Sequence, residues 1–361
     1  MPPLLEVEDL TVKFYTEEGV VNAVDGLSYT IESGEKFGVV GESGAGKSVT
    51  AMALMRLVED PGRIESGTIR FKGEDILEMS ESDVRSLRGN EMAMIFQDAQ
   101  TALNPVYRVG EQISETIRHH LGFDKQEARE RSIQLLDKVG IPEAETRYDD
   151  FPHEFSGGMQ QRAVIAMALS CDPDLLICDE PTTALDVTIE AQILELIEEL
   201  ADDFDTAVQL ITHDLGVVAE VCDRVMVMYA GKPVEKAPVE DLFYDPKHPY
   251  TVGLMSSIPR IGGERERLQT IPGTMPDLVD LPPGCSFHPR CPFAEEVCTL
   301  SEPPLLDPAT GAEITDPKAE RGAACLEYTG DLARGLDYEV TVRGEEPDQS
   351  TQIADGGETY E

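Results

Sequence analysis

Residues 41–48 read Gly-Glu-Ser-Gly-Ala-Gly-Lys-Ser, and this stretch decides the fold. It satisfies G-x-x-x-x-G-K followed by Ser or Thr, a loop that wraps nucleotide phosphates between a strand and a helix. The apolar run ending at Val40 predicts a buried strand before it, and the Ala, Met and Leu content of residues 47–58 predicts a helix after it. Gly41, Gly44 and Gly46 let backbone N–H groups converge on oxygens with no Cβ in the way, and the helix start adds partial positive charge. Lys47 is then placed to reach the β- and γ-phosphates and Ser48 to ligate Mg²⁺, with Ser43, Ala45 and Val49 as further nucleotide contacts.

The chain has 361 residues, 41% of them hydrophobic, enough for one large domain and a smaller one. Seventy acidic residues against 29 basic give a net charge of −41, which argues against nucleic acid or anionic lipid as the main binding surface. A loop of N–H groups and one lysine still makes a local positive site within that field. Self-repulsion on this scale calls for counterions; a salt-rich, halophile-like cytoplasm is the preferred explanation, and stability is expected to rise with salt. The N-terminus MPPLLEVEDL carries acids where a signal peptide needs bases, and no run of about 18 apolar residues occurs, so an intracellular chain without a membrane span is expected. Cys171, Cys178 and Cys222 fall in apolar or regular segments and read as buried thiols.

Residues 4–31 alternate apolar and polar positions about a Glu17-Glu18-Gly19 turn and predict antiparallel strands. Tyr15, just past the first, is a candidate to stack on a purine base or a half-buried strand-end tyrosine. A short strand is predicted over 67–71, a helix over 75–87, and a buried strand over 92–96 that ends at Gln97, within reach of Mg²⁺ and an attacking water. Residues 105–150 lose the strand pattern and read as a helical insertion. Ser156-Gly157-Gly158 then opens a helix running to Ala168, with Ser156 as its N-cap and a second backbone anion site. The run Leu175-Leu176-Ile177-Cys178 delivers Asp179 and Glu180 to a sheet edge, Asp179 for Mg²⁺ through water and Glu180 as general base. Asp186 caps the next helix, and a strand over 207–212 brings His213 to the same edge, near Glu180 and a γ-phosphate. Residues 224–235 form a hairpin about Gly231.

The order GESGAGKS, Gln97, FSGGMQQR, LLICDEP, ALD and His213 resembles the ATP-binding cassette (ABC) ATPases over about residues 4–255. The resemblance implies an α/β fold: an ABC-type nucleotide-binding domain with a phosphate-loop core sheet, an antiparallel β subdomain and a helical insertion. It implies ATP hydrolysis with Mg²⁺, and two cassettes facing head to tail so that Ser156, Gly157 and Gly158 of one close over the ATP held by Lys47 of the other. It makes Tyr15 the adenine-stacking residue, Gln97 the residue that senses membrane subunits, and Asp186 the link between sites. The phrases MQQRAVIAMALSCDPDLLICDEPTTALDVT and KHPYTVGLMSSIP look like the dipeptide and oligopeptide importer subgroup, whose C-terminal extension is similar to residues 247–327. That implies two integral membrane permease subunits, a second ABC ATPase subunit, an external solute-binding protein, and a peripheral place on the cytoplasmic face of the cell membrane. A soluble, non-transport ABC ATPase is the alternative, and cargo among dipeptides, oligopeptides, nickel or oligosaccharides stays open.

The expected organisation is an ABC domain over 1–255 with a helical subdomain at about 98–165, an extension over 256–330, and a disordered acidic tail over 331–361. Cys285, Cys291, Cys298 and Cys325 have the spacing C-x5-C-x6-C-x26-C in a proline-rich segment. Such a segment has little core of its own, so thiolate ligation of an iron–sulfur cluster or zinc stands beside four structural thiols. The resemblance implies a 4Fe-4S cluster, as in some members of the subgroup, with His288 a possible substitute ligand. The extension is expected to fold apart from the phosphate-loop core.

Overall fold

The structure, a computed structural model, describes residues 2–97, 99–182, 186–256 and 271–336. Strands β1 (Leu5–Thr16) and β2 (Gly19–Ile31) form the predicted antiparallel hairpin, but their register shifts three times between Val7 and Lys13. β3 (Lys36–Val40) and helix α1 (Lys47–Leu54) flank the phosphate loop. β4 (Gly62–Phe71) returns beside β1, and β5 (Glu74–Asp75) pairs with β4. That pairing removes the start of the helix expected over 75–87: α2 spans Glu81–Leu87, because Ser80 is its N-cap and accepts from Asp83 N–H.

β6 (Met92–Ile95) leads into the helical layer of α3 (Ala99–Ala102), α4 (Val109–Leu121), α5 (Lys125–Lys138), α6 (Ala144–Arg147) and α7 (Gly157–Ala168). Asp124 and Glu127 form a capping box at α5, and Ile113, Ile117, Leu136 and Ile165 carry the layer's apolar faces into one core. Then come β7 (Leu175–Asp179), α8 (Val187–Phe204), β8 (Ala207–Thr212), α9 (Leu215–Val221), β9 (Arg224–Tyr229) and β10 (Lys232–Pro238). After α10 (Val239–Tyr244) and α11 (Pro249–Ser256), the chain adds β11 (Gly322–Ala323).

The described residues form two sheets, a four-stranded one ordered β2-β1-β4-β5 and a seven-stranded one ordered β11-β10-β9-β3-β8-β7-β6. In the larger, β9, β3, β8, β7 and β6 run parallel, and β10 and β11 are antiparallel additions. The parallel strands are buried on both faces, as their unbroken apolar runs require. Between the sheets the Tyr29 hydroxyl donates to Gln209 Oε1 at 3.0 Å, a buried polar tie within a largely apolar core.

The extension does not stand apart. Glu235 and Lys236 of β10 pair with Ala323 and Gly322, and Phe287 packs edge-on against Tyr229 and Tyr250 with ring centroids 5.2 and 5.3 Å apart. Its apolar residues are few, so they complete a core begun by β9, β10 and α11. Residues 331–336, expected to belong to the tail, are among the described residues, and Glu295 accepts from Ala333 and Arg334 N–H. The expectations for Ala184, Leu185 and residues 337–361 lie outside the described residues.

Candidate active site

Parallel strands that share a direction bring their carboxyl ends to one edge, and the chemistry-bearing residues follow those ends directly. The loop after β3 is shaped by exclusion. A Cβ on Gly46 (φ +101°) would lie 2.2 Å from Ala23 O, and one on Gly41 would lie 2.3 Å from Met228 O, so the loop sits backbone to backbone against β2 and β9. At Gly44 (φ +85°) the space is open. Lys47 Nζ donates to Gly41 O at 2.8 Å and Glu42 O at 3.2 Å, and lies 3.6 Å from Glu180 Oε1. Burial pushes its ammonium below the usual lysine range, against the pull of Glu180 and Asp179.

Behind the lysine the Ser48 hydroxyl donates to Asp179 Oδ1 at 2.9 Å, and burial raises that carboxyl above its ordinary value despite the bond. Glu180 follows in a left-handed conformation (φ +46°), held by its N–H on Ile211 O at 2.9 Å. Backbone strain at a non-glycine residue costs about 1–3 kcal/mol and turns the side chain out of the strand's alternation. Gln97 Nε2 donates to Glu180 Oε2 at 3.1 Å, and His213 Nδ1 lies 3.6 Å from the same oxygen. Lys47, Gln97, Glu180 and His213, predicted from separate stretches, thus meet around one carboxylate.

They open on a cavity of about 1020 Å³ also lined by Ser43, Gly44, Ala45, Gly46, Ser48 and Val49. Tyr15 is not among its walls: its hydroxyl donates to Glu65 Oε1 at 2.9 Å and Arg63 lies over its ring. Its neighbour Phe14 lines the cavity instead. The register shifts before Lys13 decide which neighbour faces the cavity, and alternation alone cannot locate them. Ile271, Met275 and Leu278 of the extension also line the cavity, which no sequence signal marked.

Ser156, Gly157, Gly158 and Asp186 do not line this cavity. Ser156 is the N-cap of α7, accepting from Met159 N–H at 3.4 Å, and a Cβ on Gly157 would meet nothing within 4 Å, so this helix start is open to a facing surface. Asp186 heads α8 without a side-chain capping bond, in contrast to the cap expected of it.

Cys285, Cys291, Cys298 and Cys325 line one cavity of about 20 Å³ together with His288. All are free thiols, and burial pushes Cys291 up to about 11 and Cys325 up to about 12, with the neighbouring cysteines adding to both. Among the described residues no group of three or more His, Cys, Asp or Glu is arranged to hold a metal ion. The expected single coordination sphere is therefore not formed. The donor set suits thiolate ligation, but the space between the thiols holds no more than about one water, well short of a cluster. Cys171 and Cys178 are buried and Cys222 is half-buried.

A phosphate loop on a mainly parallel sheet, with a carboxylate, an amide and an imidazole at its mouth, defines a nucleoside triphosphatase of the phosphate-loop class. The ABC transporter family matches residues 24–183, and the oligopeptide/dipeptide transporter C-terminal region matches residues 234–298. The oligopeptide transport ATP-binding protein OppD of Haemophilus influenzae is 52% identical over 301 residues, 83% of this chain and 93% of its own length. OppD of Salmonella typhimurium is 54% identical over 84% of this chain and 90% of its own, and AppD of Bacillus subtilis 50% identical over 87% and 96%. A solved ABC cassette, dimeric and bound to ADP and Pi, shares the fold with a TM-score of 0.59 at 22% identity, over 65% of this chain and 98% of that one. This chain belongs to the ABC transporter family, among its oligopeptide transport ATP-binding proteins.

Proposed function

We propose that this chain binds and hydrolyses ATP to power an ABC importer of oligopeptides or similar solutes, seated peripherally on the cytoplasmic face of the membrane. Its partners are then two integral membrane permease subunits and a second ABC ATPase subunit, with an external solute-binding protein acting indirectly. Among the described residues no helix is long and apolar enough to cross a membrane, so the permeases would supply the spans. The observation that carries the ATPase reading is Glu180, one carboxylate within 3.6 Å of Lys47, Gln97 and His213 at the mouth of the phosphate loop. The peptide reading rests on the relatives' names and on the matching extension.

Glu180 takes the role of general base, polarising water for attack on the γ-phosphate, with Gln97 and His213 fixing its orientation. Lys47 meets the charge on the transferred group, and Phe14 gives the adenine ring of the nucleotide an apolar wall. The hydroxyl and carboxylate oxygens of Ser48 and Asp179, with Gln97, are the hard donors a magnesium ion takes. Bound there, the ion would neutralise phosphate charge as a Lewis acid. Ser156, Gly157 and Gly158 serve the partner's nucleotide, and Asp186 stands between the two sites.

Glu180→Gln keeps shape but not basicity. It is expected to cut ATP turnover by about 10²- to 10⁴-fold, leave ATP binding intact and accumulate an ATP-bound dimer. Near-normal hydrolysis would remove Glu180 from the role. Purification without hydrophobic partner subunits would favour the soluble, non-transport alternative.

For the four late cysteines we propose thiolate ligation of a 4Fe-4S cluster, with His288 as a substitute ligand. The four free thiols lining one cavity support it; that cavity is too small for a cluster as it stands, so ligation would require the segment to rearrange around the group. Protein isolated without oxygen should then be brown, with iron and acid-labile sulfide near four each per chain. Colourless protein without iron, or with stoichiometric zinc, would overturn the cluster.

A further inference from the structure

Glu42 is the second residue of the phosphate loop, and its backbone and side chain are held from different directions. Its carbonyl accepts from Lys47 Nζ at 3.2 Å, and its N–H donates to the Tyr250 hydroxyl at 2.9 Å. Its carboxylate receives a two-pronged bond from the extension, Arg290 Nη1 to Oε2 at 2.6 Å and Nη2 to Oε1 at 3.0 Å. Arg290 is 5% exposed, and two of its remaining donors are also placed: Nε on Pro272 O at 2.8 Å and Nη1 on the Tyr229 hydroxyl at 3.4 Å. Tyr229, Tyr250 and Phe287 stack edge to face beneath it, so the guanidinium is mounted on a packed base.

The residue is expensive to keep there unless its geometry is used. A buried guanidinium needs all its partners, and a planar fork on a carboxylate fixes angle as well as distance. The loop it grips is the one whose carbonyls at 41 and 42 hold Lys47. We infer that Arg290 is a positioning residue for the ATPase: by clamping Glu42 it sets the phosphate loop and Lys47 in the nucleotide-binding arrangement, so that the C-terminal extension is a working part of the ATP site. This rests on the ATPase reading above. Glu42 and Arg290 touch no reacting atom; they act through the loop. Because the loop meets the phosphates in ground state and transition state alike, losing the clamp weakens both, which raises KM and spares kcat.

The test is ATP titration and steady-state hydrolysis by the full chain, with Lys47→Ala as the control for nucleotide binding. Arg290→Gln is expected to raise KM for ATP about ten-fold with kcat within about two-fold, and Arg290→Lys, which keeps charge but not the fork, to fall between. Glu42→Gln should reproduce the increase, and the double variant should be no worse than either single. A purely structural role would lower the melting temperature and leave KM of the folded protein unchanged; that result, or single effects that multiply in the double variant, overturns the inference. Should Arg290→Gln not fold, Glu42→Gln carries the same expectation on a loop whose side chain is a third exposed, and an unchanged KM there overturns it. A wild-type chain that binds no ATP overturns the ATPase reading and this inference with it; wild-type binding with unaltered variants overturns this inference alone.

Discussion

The phosphate loop and the seam where the extension joins β10 both bury polar groups, but they are built on different constraints. At the loop, shape is set by what is missing: Gly46 fits only because no Cβ stands between it and Ala23 O. At the seam, shape is set by charge: Glu235, 2% exposed, accepts from Lys247 N–H at 2.6 Å and His248 N–H at 2.8 Å beside the β11 pairing. The first region is therefore sensitive to volume and the second to protons. A ligand site made of backbone keeps its form across pH, and a joint made of a buried carboxyl does not.

The largest effect expected from this contrast is Gly46→Ala. A methyl group 2.2 Å from a carbonyl oxygen must move the loop or β2, at about 3 kcal/mol or more. Calorimetry should show ATP affinity reduced by at least about 100-fold and a lower melting temperature together. If affinity survives, the loop is more forgiving than its packing implies.

Next is the pH dependence of Glu235. Burial pushes its carboxyl up to about 7 from 4.5, against the bonds from the Lys247 and His248 N–H groups. The folded chain then holds a proton that the unfolded chain has released, so this stability is full below about pH 4.5 and lost as pH rises through about 7. His248, pushed down to about 3 by burial, works the other way, contributing above about pH 6.5 and failing as pH drops. In Glu235→Gln the His248 contribution is common to both proteins. The stability difference from wild type should therefore shift in the variant's favour by on the order of 3 kcal/mol between pH 4.5 and 7, read by urea unfolding at each pH. A difference that is flat with pH would place the seam's strength in packing instead.

Gly44→Ala is the smallest. Its Cβ would meet nothing within 4 Å, leaving only the left-handed backbone, about 1 kcal/mol of stability. The methyl would project into the cavity, so affinity for ATP should fall roughly ten-fold while the fold stays near wild type. Equal damage to stability from Gly44→Ala and Gly46→Ala would erase the distinction between the loop's packed and open sides.

The parts of the site that were legible in the sequence share one property. Gln97, Asp179, Glu180 and His213 stand at or just past the ends of β6, β7 and β8, where an apolar run stops, and a parallel sheet collects such ends without further instruction. That Phe14 and not Tyr15 lines the cavity was not legible, because strand alternation carries position only while the register is unbroken, and β1 breaks it three times before reaching Lys13. The Arg290–Glu42 fork was invisible for another reason: its members are 248 residues apart, and nothing local distinguishes an arginine in a proline-rich turn from a solvated one. The short helix α2 shows local competition, since residues 74 and 75 have helical company in sequence but pair with β4 in space. The cysteines conveyed a shared location, not a coordination geometry.

The two-residue strand β11 has a bearing on how this protein keeps to itself. A sheet ends in a row of unpaired N–H and C=O groups, and a long, flat end can recruit strands from other chains. β10, at seven residues, would offer such a row, but Gly322 and Ala323 cover its middle and then turn away. The other end, β6, is four residues long. Both margins of the seven-stranded sheet are thus blunt, and a chain truncated before residue 322 would trade a capped edge for a sticky one.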